Sequence, residues 1–189
     1  MAENRFDAVL FDLDGTLTES GLGITKSVAH ALDALGAAAL PEETLRKFVG
    51  PPLLESFMRY AGLSEAQALE AVAKYRERYF TVGWKENRVY PGIALLVRGL
   101  KKRGVKVVLA SSKPETSCIK ILDYFGLAPY FDGVCAIQPD EHHADKAEIV
   151  ARALKDLPAG SRACMVGDRI YDIEGARANG IFSIGAAYG

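Results

Sequence analysis

Three cysteines in 189 residues, Cys118, Cys135 and Cys164, are too few and too irregularly spaced for a disulfide framework or a thiolate metal site. Their neighbours are apolar, as in VCAI and ACMV, and the plain expectation is buried free thiols in a reducing compartment. No apolar run approaches the roughly 18 residues that a membrane-spanning helix needs. The opening MAENRFDAVLFD has charges where a signal peptide would have its apolar centre. The expectation is therefore a cytoplasmic protein with no membrane partner. Charge of one sign is also missing: 23 basic residues face 24 acidic ones, for a net charge of −1. That balance gives no basic footprint for a nucleic-acid polymer, so any anion must be held by a few placed groups. With 49% hydrophobic and 25% charged residues the composition is that of a globular chain. Its length fits one domain carrying a modest insertion.

Short apolar runs ending in Gly, Asp or Ser recur along the chain. Residues 8–11 (AVLF), 105–110 (VKVVLA), 133–137 (GVCAI), 163–166 (ACMV) and 181–184 (IFSI) read as buried parallel strands. Helical patterns over 92–103, 114–125, 145–157 and 172–178 precede the last four, one before each. This alternation predicts an α/β fold with a doubly wound, mostly parallel sheet. Residues 19–85 break the rhythm. They carry no strand signal and read as helices at 24–35, 51–61 and 64–80, the last opening with the capping box Ser64-x-x-Gln67. The expected organisation is a core of 1–18 and 86–189 with a small all-helical domain, 19–85, inserted in it. In that insertion His30, Tyr75, Tyr79, Phe80 and Trp84 read as packing residues.

Four stretches carry candidate chemistry. Asp12-Leu13-Asp14-Gly15-Thr16 follows the first strand. Residues two apart on a strand point the same way, so Asp12 and Asp14 are expected at one site with Leu13 in the core. Paired carboxylates repel unless a cation sits between them, and magnesium, a hard ion that accepts carboxylate and phosphate oxygens together, suits them. One such carboxylate can attack phosphorus while the other handles the proton of the leaving group; the ordinary alternative is an Asx-turn at a strand end. Ser111, at the end of VVLA, is placed to hold a phosphate oxygen beside a helix start, although it also suits a helix cap. Lys146 opens a helix, where a cation is disfavoured by the dipole and so suggests a nearby anion; a solvated lysine is the alternative. Asp168 and Asp172, in Gly167-Asp168-Arg169-Ile170-Tyr171-Asp172, sit at a strand end and a helix start, where Asp172 also suits an N-cap.

Taken in this order, the segments resemble the haloacid dehalogenase superfamily, whose first motif is Asp-x-Asp-x-Thr after an apolar strand. Here the match is Asp12, Asp14 and Thr16, and the resemblance runs from Phe6 to Gly189. It implies Asp12 as nucleophile and Asp14 as general acid/base. It implies Ser111 around the phosphoryl group, with Ser112, Thr16 and Lys146 beside it. Ser112 stands where phosphatases of this group often have Asn, so only its backbone is expected to contribute. A magnesium ion is implied on Asp12, Asp14 (through its backbone carbonyl), Asp168 and Asp172. The insertion is similar to the helical cap of phosphoglycolate-phosphatase-like and nucleotidase-like members, with Gly50-Pro51-Pro52-Leu53 as a specificity loop. Residues 18–26 and 86–91 are implied as hinges. Lys26, Arg46 and Lys47 are candidates for a second anionic group of the substrate, or else solvated helix faces. His142 and His143 precede Lys146 and are expected to be loop residues without chemistry.

The implied activity is hydrolysis of a small-molecule phosphate monoester, of the phosphoglycolate or nucleoside 5′-monophosphate type, through an aspartyl-phosphate, by a monomer or weak homodimer. A phosphosugar mutase and a catalytically silent protein on this fold stay open as alternatives. Relatives usually continue past the fifth strand, so one sheet edge is expected to be uncovered within this sequence.

Overall fold

The computed structural model describes residues 5–138, 141 and 144–189, so His142 and His143 lie outside the described residues. The chain divides into two compact units, one of residues 1–18 with 89–189 and one of residues 19–88.

The first unit is built on a five-stranded sheet. Its strands are β1 (Ala8–Phe11), β2 (Lys106–Pro114), β3 (Gly133–Ile137), β4 (Ala163–Gly167) and β5 (Phe182–Gly185), in the order β3-β2-β1-β4-β5 with every pairing parallel. Parallel neighbours need crossovers, and those within this unit are helical: α5 (Ile93–Lys102) before β2, then α6 (Glu115–Tyr124), α7 (Lys146–Lys155) and α8 (Ile170–Ala178) between successive strands. The side chains obey the two-residue period of a strand. Ala8, Leu10, Val108, Ala110, Ala163 and Met165 form one apolar cluster with Ile149, Val150 and Ala153 of α7 and Ala176 of α8. The alternate residues Val9, Phe11, Val107 and Leu109 are buried too, and α5 and α6 pack on β2. A sheet covered on both faces explains why its strands read as unbroken apolar runs. β5 is the exception: it is an edge strand, with Phe182 and Ile184 largely exposed.

The second unit is helical: α1 (Gly21–Ala34), α2 (Glu42–Arg46), α3 (Leu53–Ala61) and α4 (Glu65–Thr81), then a 3-10 turn at Gly83–Lys85. Its core joins Ile24, Val28 and Leu32 to Phe48, Phe57, Tyr75 and Tyr79, with Trp84 packed against it. Ser64 caps α4, its hydroxyl accepting from the Gln67 N–H while the Gln67 side chain accepts from the Ser64 N–H. Two expected packing residues are not in this core: His30 and Phe80 are exposed, because they lie off the buried stripes of α1 and α4. The short helix α2 carries no buried residue, which is why periodicity did not reveal it. The unit also ends at Arg88 rather than Lys85. The Glu86 carboxylate accepts from Lys26 and from both terminal nitrogens of Arg78, and Arg88 pairs with Glu19.

Candidate active site

β1 ends at Phe11, and the chain then turns. The Leu13 carbonyl accepts from the N–H groups of Leu17 and Thr18, and the Gly15 N–H donates to the Thr18 carbonyl. Asp12 stays in register, its N–H donating to the Val166 carbonyl of β4. It continues the Ala8–Leu10 side of the sheet, the side covered by α7. Strand alternation therefore places Asp12 but not Asp14, which lies within the turn.

Lys146 opens α7 behind the N-cap Asp145, whose side chain accepts from the Ala147 N–H. Its ammonium donates to Asp12 Oδ1 at 2.7 Å and to the Ala110 carbonyl at 3.0 Å, and lies 2.9 Å from Asp172 Oδ1. The cation disfavoured at this helix start is thus offset by two carboxylates. Burial alone would lower the pKa of this ammonium, but Asp12 and Asp172 outweigh it and raise it.

Asp12, Asp168 and Asp172 each bring a carboxylate oxygen to within 4.8 Å of the others'. Asp168 follows β4, and Asp172 lies in the first turn of α8. Asp172 is not the N-cap. Arg169 holds that position, and Asp172 reaches back to accept the Arg169 N–H at 3.0 Å. Thr16, expected at the phosphate, is wholly buried and donates to Asp168 Oδ1 at 3.2 Å, so its hydroxyl orients a carboxylate. Ser111 is buried in β2, where strand geometry runs on to Pro114 before α6 begins. Ser112 is exposed.

The electrostatics are those of crowded carboxylates. Asp12, Asp14, Asp168 and Asp172 face Lys146, Lys113 and Arg169, which leaves one negative charge in excess. Burial pushes the Asp12 pKa up to about 6; Lys146 opposes the shift, and Asp172 and Asp14 add to it. Burial likewise raises Asp168, with Arg169 opposing. Asp168 Oδ2 and Asp172 Oδ1 are buried and accept no hydrogen bond among the described residues, although each lies against a cation. A buried acceptor left without a donor is costly. Oxygens of this kind, gathered closely, suit a hard divalent ion.

Lys113 and Arg169 belong to the second and fourth motifs, but the contacts they make, and those of Tyr188, escaped the sequence reading. Lys113 donates to Asp14 Oδ2 at 2.7 Å, and the Arg169 Nε sits 3.0 Å from Asp168 Oδ2. The Tyr188 hydroxyl donates to the Thr16 carbonyl, while its ring packs edge-on against Tyr90. Two glycines make room for the charged side chains. A Cβ on Gly167 would come within 2.2 Å of the Asp172 carboxyl, and one on Gly175 within 2.9 Å of Lys146 Cγ. A glycine in the middle of α8 was the available signal for that close approach.

The remaining candidates lie in the helical unit. Lys26 is paired at 3.0 Å with Glu86, and Arg46 with Glu42 at 2.7 Å. Lys47 is exposed, and Gly50 and Pro51 lie between α2 and α3, with Gly50 at φ 103°.

A family model described as haloacid dehalogenase-like hydrolase matches residues 6–180. The chain belongs to that family. It is 40% identical over 186 residues to a 5′-nucleotidase of Pseudomonas aeruginosa, covering 98% of this chain and 84% of the relative. It is 39% identical over 182 residues to the tyrosine-protein kinase PtkA of Mycobacterium tuberculosis, covering 96% of this chain but 62% of that protein. Among solved structures, a predicted phosphatase from Clostridium acetobutylicum superposes with a TM-score of 0.89 at 41% identity, over 97% of this chain and 86% of that one. This haloacid dehalogenase-like hydrolase is an enzyme of the phosphatase type, and its acidic cluster is one that a metal ion can occupy. No helix among the described residues is long and apolar enough to cross a membrane.

Proposed function

We propose that this hydrolase is a magnesium-dependent phosphatase acting on small phosphate monoesters through an aspartyl-phosphate on Asp12. The observation that carries the reading is the convergence of Asp12, Asp168 and Asp172 within 4.8 Å, with Lys146 bound to Asp12. Asp12, Asp168 and Asp172, with the Asp14 carbonyl, would hold the ion, which supplies positive charge against the phosphate oxygens.

The chain's own residues do the rest. Lys146 fixes one oxygen of Asp12 and leaves the other to attack phosphorus. The bond from phosphorus to the leaving oxygen breaks, and Asp14 gives that oxygen a proton. Asp14 then takes a proton from water, which attacks phosphorus and breaks the bond to Asp12, releasing inorganic phosphate. Ser111 and the Ser112 backbone bind the phosphoryl oxygens. Thr16 orients Asp168, and through it the metal site.

The helical unit is read as a cap over a small substrate, with residues 50–53 as its specificity loop. The nucleotidase-named relative favours a nucleoside 5′-monophosphate over phosphoglycolate. The kinase-named relative is matched over 62% of its length, and its name is not carried to this chain.

The test is hydrolysis of a panel of phosphate monoesters, with and without EDTA. Release of inorganic phosphate that EDTA stops and magnesium restores is expected, as is a nucleoside 5′-monophosphate or phosphoglycolate among the good substrates. Hydrolysis indifferent to EDTA would overturn the metal assignment.

A further inference from the structure

We infer that Lys113 is a positioning residue for Asp14, held in place by an irregularity of β2. The inference rests on the reading of Asp14 as the general acid. The Lys113 ammonium donates to Asp14 Oδ2 at 2.7 Å, and the two side chains are 9% and 13% exposed. Asp14 Oδ1 is buried and accepts no hydrogen bond among the described residues. Asp14 lies in a turn rather than in β1, so strand geometry does not aim its carboxyl. Lys113 does.

The backbone shows how Lys113 comes to be there. Ala110 of β2 pairs with Cys135 of β3, but the next pairing is Pro114 with Ile137. β2 thus spends four residues where β3 spends two. Such a bulge bends the strand and re-aims its side chains, and bulges occur often beside active sites. The displaced segment is Ser111–Lys113, so one distortion contains both the hydroxyl read above as a phosphate ligand and the lysine. Its far end is fixed. Pro114 restricts Lys113 to extended backbone, and the thiol of Cys118, fully buried on α6, donates to the Lys113 carbonyl at 3.8 Å.

General acid catalysis requires the donor to lie within hydrogen-bond reach of the leaving oxygen, and small misplacements are costly. An alkoxide leaving group needs its proton, whereas a nitrophenolate leaves without one. Loss of Asp14 alignment should therefore slow alkyl esters more than nitrophenyl esters.

The experiment compares kcat/KM for p-nitrophenyl phosphate and an alkyl phosphate in the wild type, Lys113→Met, Lys113→Arg and Asp14→Asn. Lys113→Met is expected to lower the alkyl rate at least about tenfold more than the aryl rate. Lys113→Arg, which keeps a cationic donor, should move the ratio less. Parallel loss on both esters, or an unchanged ratio, overturns the inference. Lys113→Gln is read by the same criterion if the methionine variant does not fold. Asp14→Asn separates the two layers of the argument. If it shifts the ratio and Lys113→Met does not, the tether alone is wrong; if it too leaves the ratio unchanged, the general-acid reading falls.

Discussion

Three oxygens lie within 3.0 Å of the buried Lys146 ammonium: it donates to Asp12 Oδ1 and the Ala110 carbonyl, and it pairs electrostatically with Asp172 Oδ1. Removing one partner of a buried ion pair leaves the others uncompensated, at about 3–5 kcal/mol. Lys146→Met should therefore lower stability by about that much in denaturant titrations of the metal-free protein, and added magnesium should recover part of it. Asp12 gives the pH signature. Its folded-state pKa of about 6 lies above the ordinary aspartate value of 3.8, so the folded state binds more protons than the unfolded one across that window. Stability from this group is then greatest at acid pH and declines as pH rises from about 4 through 6. A divalent ion, which selects the ionised carboxylate, should release protons on binding near pH 6. Calorimetry in two buffers of different ionisation enthalpy measures that release, and binding without it would contradict the shift. At this scale the sequence was legible where a motif has fixed spacing, as for Asp12, Asp168 and Asp172. It was silent where a side chain reaches across the fold, as Lys113 does to Asp14 and Tyr188 to Thr16.

Elements were legible in proportion to their burial. The strands β1 and β3 fall where unbroken apolar runs predict them, and α4 begins at its capping box. The extension of β2 from Ala110 to Pro114 was hidden, since a bulge follows tertiary pairing rather than a local pattern. Two substitutions test the helical unit. Ser64→Ala removes the α4 cap and should cost about 1 kcal/mol. Gly23→Ala should be worse. Its Cβ would lie 1.9 Å from the Gly83 carbonyl oxygen, a backbone atom that cannot swing aside, and such overpacking costs about 1–3 kcal/mol. Thermal unfolding of the two variants should rank them in that order.

Across the whole molecule, one sheet collects the chemistry at the carboxyl ends of β1, β2 and β4, where a doubly wound fold presents its ligand crevice. The sequence could place those ends because each follows an apolar run. The helical unit was recognisable by its lack of strands, but its polar residues form pairs with one another, such as Lys26 with Glu86, that no spacing announces. The account stands on Asp12 as the group that carries phosphorus, and the direct measurement is mass spectrometry of enzyme quenched in acid during turnover of a phosphate ester. One added phosphoryl group, labile to hydroxylamine, located on Asp12 and missing from Asp12→Asn, is the predicted result. An unmodified Asp12 during rapid turnover, or an Asp12→Asn variant that hydrolyses the ester at the wild-type rate, would contradict it.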